Sequence, residues 1–335
     1  MTEAPASWDD AAVRSPGGHV LQSSAWARIR EQQGWRAEFV RIGDPLPVAL
    51  VLWRDVPLLG RMGYAPRGPI VAPGDRDGLA HALEVLAELA RERGAALVKV
   101  DPELEADAAA PVLAHAGYTR GPDVQPVLAT LVIDLAPEPD AILAGLEKDT
   151  RWSVRQAEKR GVILRSVTDD ASLRAFYDLY RTTGQRAHFI TRTYDYYRLV
   201  WRTLIDADLA TLRLAYLDDR AVAGSMTWRC GDHDLYMYGA TSDEGRKCFA
   251  AYGLLWDSIG AARSRGARGF DLGGIPVDPS RKDDPMYGPY LFKKGFGGAM
   301  RRWVGAHDLA PSALRYRAFL ALEPVYTRAL QLLPR

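Results

Sequence analysis

With 335 residues, 47% of them apolar, the chain is long enough for two domains and apolar enough for two cores. Its formal net charge of +1 gives no global attraction for nucleic acid, so any RNA contact must use a local patch. Cys230 and Cys248 show neither metal nor disulfide-framework spacing, which fits a reducing cytosol, and no HxH or HExxH word points to a metal, so none is expected.

The opening MTEAPASWDD is acidic without a basic, apolar leader, and no apolar run approaches the roughly 20 residues that cross a bilayer. A soluble, cytoplasmic protein is expected, with peripheral contact with the inner membrane face left open. Ser23 and Ser24 suit the N-cap of a helix carrying Trp26 and Ile29 and ended by Gly34. Strands follow over 38–42 and 48–53, and Pro66, Gly68 and Pro69 in MGYAPRGPIV forbid a helix there. A helical period over 77–93 stops at Gly94 and gives way to a strand over 96–100 that ends at Asp101 and Pro102.

A strand over 127–135 precedes a basic helix on which Lys148, Arg151, Arg155 and Lys159 share one face; Trp152 within it reads as an anchor to the core or as a platform for a stacked base. Next come a strand over 162–166, helices over 171–181 and 194–204, and strands over 211–217 and 220–229. Alternating Tyr236 and Tyr238 mark another strand. Phe249, Tyr252, Leu255, Trp256 and Ile259 give the stretch 246–263 the period of a single amphipathic helix, closed by Gly266. A short strand over 270–272 then runs into Gly273 and Gly274. Strand, helix, strand and an exposed backbone is where open α/β sheets bind ligands. A last helix covers 311–333 and folds back on the first half; no heptad run long enough for a coiled-coil arm occurs.

The two halves share this plan. RERGAALVKVD around Gly94 parallels RSRGARGFDLGG around Gly266, so Asp101 corresponds to Asp271 and the chain reads as a duplicated α/β unit. The repeat is too long for a solenoid and means two domains.

The words YMYGAT, DLGGI and YLFKKGF stand in that order between Leu235 and Phe296, and LQSSAWARIREQQGW and YAPRGP stand near the start. In these words the chain resembles the FemABX family of tRNA-dependent aminoacyl transferases that build peptidoglycan cross-bridges, as a compact, FemX-like member without a coiled-coil arm. The resemblance, from Leu21 to Asp308, implies a tandem duplication of two acetyltransferase-type (GNAT) domains of α/β (α+β) class. The first is expected over 1–147, completed by a C-terminal helix at 309–335, and the second over 148–308.

The implied reaction is attack by a stem-peptide amine on the aminoacyl ester of a charged tRNA. It needs a neutral amine, a donor for the developing oxyanion and accurate placement, but neither a nucleophilic side chain nor a cofactor. The implied partners are aminoacyl-tRNA and UDP-MurNAc-pentapeptide or a lipid-linked precursor, met by a monomer.

Carried over word by word, the resemblance puts Asp101 of VKVDPE in the cleft as a binder of the incoming amine and, secondarily, its base. It implies that Lys293 meets phosphate or the oxyanion and that Phe292 shapes the cleft. Arg192, Tyr196 and Tyr238 contact the precursor, Arg192 and Tyr196 standing four apart so that a helix start would project both. Arg30 falls where the family has a phosphate-binding Lys, and Ala96 where a nucleotide-precursor member has a ligand-binding Tyr, which favours a lipid-linked precursor. Tyr64 and Arg67 read as scaffold or cleft lining. The stripe Lys148, Arg151, Arg155, Lys159 suits tRNA phosphates, or is a solvated helix face.

Two other functions stay open. The same fold serves acyl-CoA-dependent N-acyltransferases, but these need an R/Q-x-x-G-x-G/A loop at a helix start, a spacing that SDEGRKCFAAYG is read as lacking, as is APRGPIVAPG in the first half. The chain also reads as a non-catalytic binding protein of this fold.

Overall fold

The computed structural model describes residues 2–57, 60–187 and 189–332, the last ten by backbone alone. It divides into two units, Met1–Pro126 with Trp303–Arg335, and Val127–Arg302. These limits differ from the expected 147/148 and 308/309, and strand pairing gives the reason. Strand β6 (Ala129–Asp134) pairs with β11 (Gly269–Gly274) and β12 (Ala299–Arg302) in the second sheet. Strand β13 (His307–Leu309) pairs with β4 (Ala95–Val100) and β5 (Thr119–Arg120) in the first.

The first sheet runs β1-β2-β3-β4-β13-β5, with β1 at Arg36–Arg41, β2 at Val48–Val56 and β3 at Gly60–Ala65. Helix α1 (Ser24–Glu31) starts where the Ser23 hydroxyl accepts from the Trp26 N–H. Helix α2 (Arg76–Glu92) is capped by Asp75, buries Leu79, Ala82, Leu83, Leu86 and Ala90 at helical spacing, and stops before Gly94 at φ 59°. α3 (Ala106–His115) follows. β4 is buried along its whole length, as a strand covered on both faces must be. Lys99 sits inside it because Asp308 of β13 lies 2.6 Å from its ammonium. The last helix, α11 (Ala313–Leu332), lays Phe319 against Val56 and Leu97; Leu333, its expected end, lies outside the described residues.

The second sheet runs β12-β6-β11-β10-β9-β8-β7, with β7 at Ile163–Val167, β8 at Ala210–Leu217, β9 at Arg220–Cys230 and β10 at His233–Thr241. Its helices are α4 (Pro139–Gly145), α5 (Lys148–Lys159), α6 (Asp170–Ala187), α7 (Tyr194–Asp206), α8 (Asp243–Lys247), α9 (Ala250–Ser264) and α10 (Tyr287–Lys294). The single helix expected over 246–263 is two, because Phe249 takes a left-handed φ of 60° that no α-helix continues through. The expected helix over 171–181 runs on to Ala187.

The duplication is visible in the pairing. β3 and β4 are parallel, as are β10 and β11, and a helix, α2 or α9, makes each crossover. Antiparallel strands flank each pair, β2 and β13 in one sheet, β9 and β6 in the other. Each second parallel strand carries the corresponding acid, Asp101 just past the end of β4 and Asp271 within β11.

Candidate functional site

In the first unit the chemistry gathers at Asp101, whose carboxylate is 1% exposed. One oxygen accepts from the Tyr64 hydroxyl at 2.8 Å and the other from the Arg67 N–H at 2.6 Å. The Gln125 amide donates to the Tyr64 oxygen at 3.3 Å. Arg67 sits at φ 53°, a left-handed turn beyond β3, with its guanidinium 3.9 Å from Glu103. Burial pushes the Asp101 carboxyl up to about 6, while Arg67 and the Tyr64 bond pull the other way. The group is therefore mainly ionised at neutral pH yet able to take a proton.

Tyr64 and Arg67 are thus the direct holders of Asp101, a role left undecided by the sequence. The signal was in the word YAPRGP, because Tyr64 pairs with Lys99 and Ala65 with Val100 across the parallel strands, so the residues just past the end of β3 meet those just past the end of β4. Tyr64→Phe removes a donor to the ionised carboxylate. The expected cost is about 1–2 kcal/mol of stability, larger at pH 8 than at pH 5, read from urea midpoints at the two values.

In the second unit Asp271, 2% exposed, accepts from the Gly273 N–H at 2.6 Å and closely from the Thr130 hydroxyl. Gly273 has φ 74°, and a Cβ there would stand 2.8 Å from the Tyr236 carbonyl oxygen and 3.6 Å from the Lys293 ammonium. Gly273→Ala combines backbone strain with a clash against a neighbouring strand, so a loss of about 2 kcal/mol or more is expected in thermal or urea unfolding.

Lys293, on α10, is 7% exposed and donates to the Gly274 carbonyl at 2.7 Å. Burial pulls its ammonium down to about 8, with Asp271 working against the shift. Its neighbour Lys294 is exposed. Phe292 packs edge-on against Tyr252 at 4.9 Å and Phe296 at 5.5 Å, fixing α10 to α9.

Tyr238 stands edge-to-face with Tyr180 (5.5 Å), Tyr197 (5.9 Å), Trp201 (5.7 Å) and Trp228 (5.7 Å). Burial among them raises its pKa well above the ordinary tyrosine value, so the phenol stays neutral and acts through hydrogen bonds alone. Arg192 is not on the helix with Tyr196, because Thr193 caps α7 and Arg192 precedes it. Its guanidinium nevertheless lies over the Tyr196 ring at 4.9 Å, and Tyr196 meets Tyr197 at 5.5 Å. Arg192, Tyr196 and Tyr238 therefore converge around Tyr197.

Other expected residues are engaged differently. The Arg30 guanidinium lies over Trp35 at 5.1 Å and Trp26 at 5.9 Å and bonds to Gln33. Lys148, Arg155 and Lys159 are exposed on α5, but Arg151 donates to the Ala144 and Leu146 carbonyls at 2.8 and 3.0 Å. Trp152 does not anchor α5 in the core; it is 51% exposed and stands edge-to-face with Phe249, the ring centres 5.0 Å apart. The spacing of the CoA loop, expected to be absent, is kept at the start of α9 by Arg246, Phe249 and Ala251, but Phe249 stands in the place of its glycine. Among the described residues no three His, Cys, Asp or Glu form a metal-binding group, and no helix is long and apolar enough to cross a membrane.

A crossover helix between two parallel strands in an otherwise antiparallel sheet is the arrangement of the acetyltransferase-type fold, here present twice. Residues 145–293 match the acetyltransferase (GNAT) domain model. Residues 7–112 match the FemAB family model. It is 25% identical to the Lipid II:glycine glycyltransferase of Staphylococcus aureus (strain USA300) over 402 aligned positions, covering 96% of this chain and 95% of that protein. The crystal structure of FemX has the same fold, with a TM-score of 0.84 at 22% identity over 96% of this chain and 99% of that one. A conserved Bacteroides thetaiotaomicron protein of unknown function aligns with a TM-score of 0.60 at 10% identity, covering 92% of this chain and 97% of that one.

Proposed function

We propose that the protein transfers an amino acid from an aminoacyl-tRNA to the side-chain amine of a peptidoglycan precursor stem peptide, forming a cross-bridge amide. The observation that carries this reading is the end-to-end similarity to a Lipid II:glycine glycyltransferase. Each unit buries one charge suited to a role in that reaction, Asp101 just past the end of β4 in the first and Lys293 on α10 in the second. The acceptor amine attacks the ester carbonyl, a C–N bond forms as the C–O bond to the tRNA ribose breaks, and the amine's proton leaves while the ribose oxygen gains one. Asp101 holds the incoming ammonium and takes its proton; Lys293 donates to the oxyanion. Phe292 shapes the space beside Lys293, and Arg192, Tyr196 and Tyr238 receive the precursor. Arg30 meets phosphate, as do Lys148, Arg155 and Lys159 with tRNA; Arg151 serves by holding the start of α5. No cofactor enters. The lipid-linked precursor is the preferred acceptor, since Ala96 leaves no phenol for a soluble nucleotide one.

The test is incubation of the purified protein with charged tRNA and lipid-linked or UDP-linked precursor, with mass spectrometry of the product. A new amide is expected. No transfer from any charged tRNA, alongside turnover with acetyl-CoA, would establish the N-acyltransferase reading instead. Against that reading stands Phe249, whose ring, under Trp152 and with Arg160 5.1 Å away, occupies the position where a CoA loop needs a bare backbone.

A further inference from the structure

We propose that the outer face of α11 is a docking surface for an anionic lipid bilayer. The helix has two faces of opposite meaning. Inward, Phe319 is 8% exposed in the cluster with Val56 and Leu97, and the Tyr316 hydroxyl donates to Asp308 at 2.8 Å, the same carboxylate that pairs with Lys99. Outward, where a helix resting on a domain ordinarily presents polar groups to water, Leu314 is 80% and Leu322 42% exposed, and Ala318 and Ala321 complete the strip between them. The exposed Arg315 and Arg317 flank this strip, and residues 313–322 contain no acid.

An apolar strip bordered by arginines is the pattern of a helix lying in a membrane interface, its leucines at the acyl boundary and its cations among anionic headgroups. A second copy of the chain fits less well. Two-fold pairing of this face would set Arg315 and Arg317 against themselves, with no carboxylate in 313–322 to meet them. The inference deepens the reading of a lipid-linked acceptor and takes its purpose from it: a substrate confined to a membrane is best met by an enzyme held at that surface. The binding is measured apart from the transfer.

The experiment is cosedimentation of the full-length protein with vesicles of phosphatidylglycerol and phosphatidylcholine, and with phosphatidylcholine alone. Sedimentation with the anionic vesicles only, weakened by salt, is expected. L314S/L322S and R315E/R317E should each weaken it by about tenfold or more, with unchanged circular dichroism and unchanged transfer to a water-soluble acceptor. Wild-type protein that stays in solution overturns the proposal, as does binding that neither double variant weakens. A dimer that L314S/L322S dissolves in light scattering, without vesicle binding, assigns the face to a second copy and also overturns it. If no transfer occurs with any acceptor, the proposed function fails while the vesicle result still decides this one.

Discussion

Lys293→Ala is expected to lower turnover by about two to three orders of magnitude, the scale on which a lost oxyanion donor is felt, while the protein stays folded. The ammonium is buried and donates to the Gly274 carbonyl, and an ammonium has three protons to donate. Its pKa of about 8 adds a second signature. If the charged form is the donor, the rate falls as pH rises through about 8. Lys293→Arg keeps the charge at every pH and should lose that alkaline limb even where its bulkier fork slows the reaction. The same shift has a stability side. Between about 8 and the unfolded value of 10.5 the unfolded chain holds the extra proton, so stability rises with pH across that window. An alanine variant that transfers at the wild-type rate removes Lys293 from the mechanism.

Asp101→Asn is expected to cost about a hundredfold or more in turnover and about 1–3 kcal/mol in stability. Asparagine fills the space but has one acceptor oxygen where the carboxylate has two, so the Tyr64 hydroxyl and the Arg67 N–H cannot both keep their bonds. In the wild type the folded carboxyl titrates at about 6 and the unfolded one near 3.8. A raised folded pKa contributes stability that is present below the unfolded value and lost as pH climbs through about 6. The variant's stability should be flatter between those values, and the acid limb of its pH–rate profile should disappear. A hundredfold loss with the acid limb intact would show that some other group takes the proton.

Much of this was legible because strand and helix periods survive on both sides of the duplication. The pairing of Asp101 with Asp271 came from two glycine-anchored words, and the parallel strands β4 and β11 that carry them bear it out. What a sequence lacks is tertiary context. Nothing in the stretch 246–263 announces that Phe249 is left-handed, since its apolar spacing suits one helix as well as two. Tyr64 read as scaffold because its partner lies thirty-seven residues on, across a parallel pairing that only a fold supplies. Trp152 read as a core anchor or a base-stacking platform; α5 buries Thr150, Ser153, Val154 and Ala157, and that leaves the indole outside. The division between units was misplaced for a related reason: β6 carries no mark of which sheet will accept it.

The order of strands in the first sheet has a consequence for how the protein is made. The strand between β4 and β5 is β13, so a nascent chain that has reached Arg302 holds all of the second unit and a first unit whose sheet lacks the strand joining β4 to the short edge strand β5. The half translated first is therefore finished last. Until residues 307–309 leave the ribosome, β4 presents a bare, apolar edge and Lys99 an ammonium with no Asp308 to neutralise it.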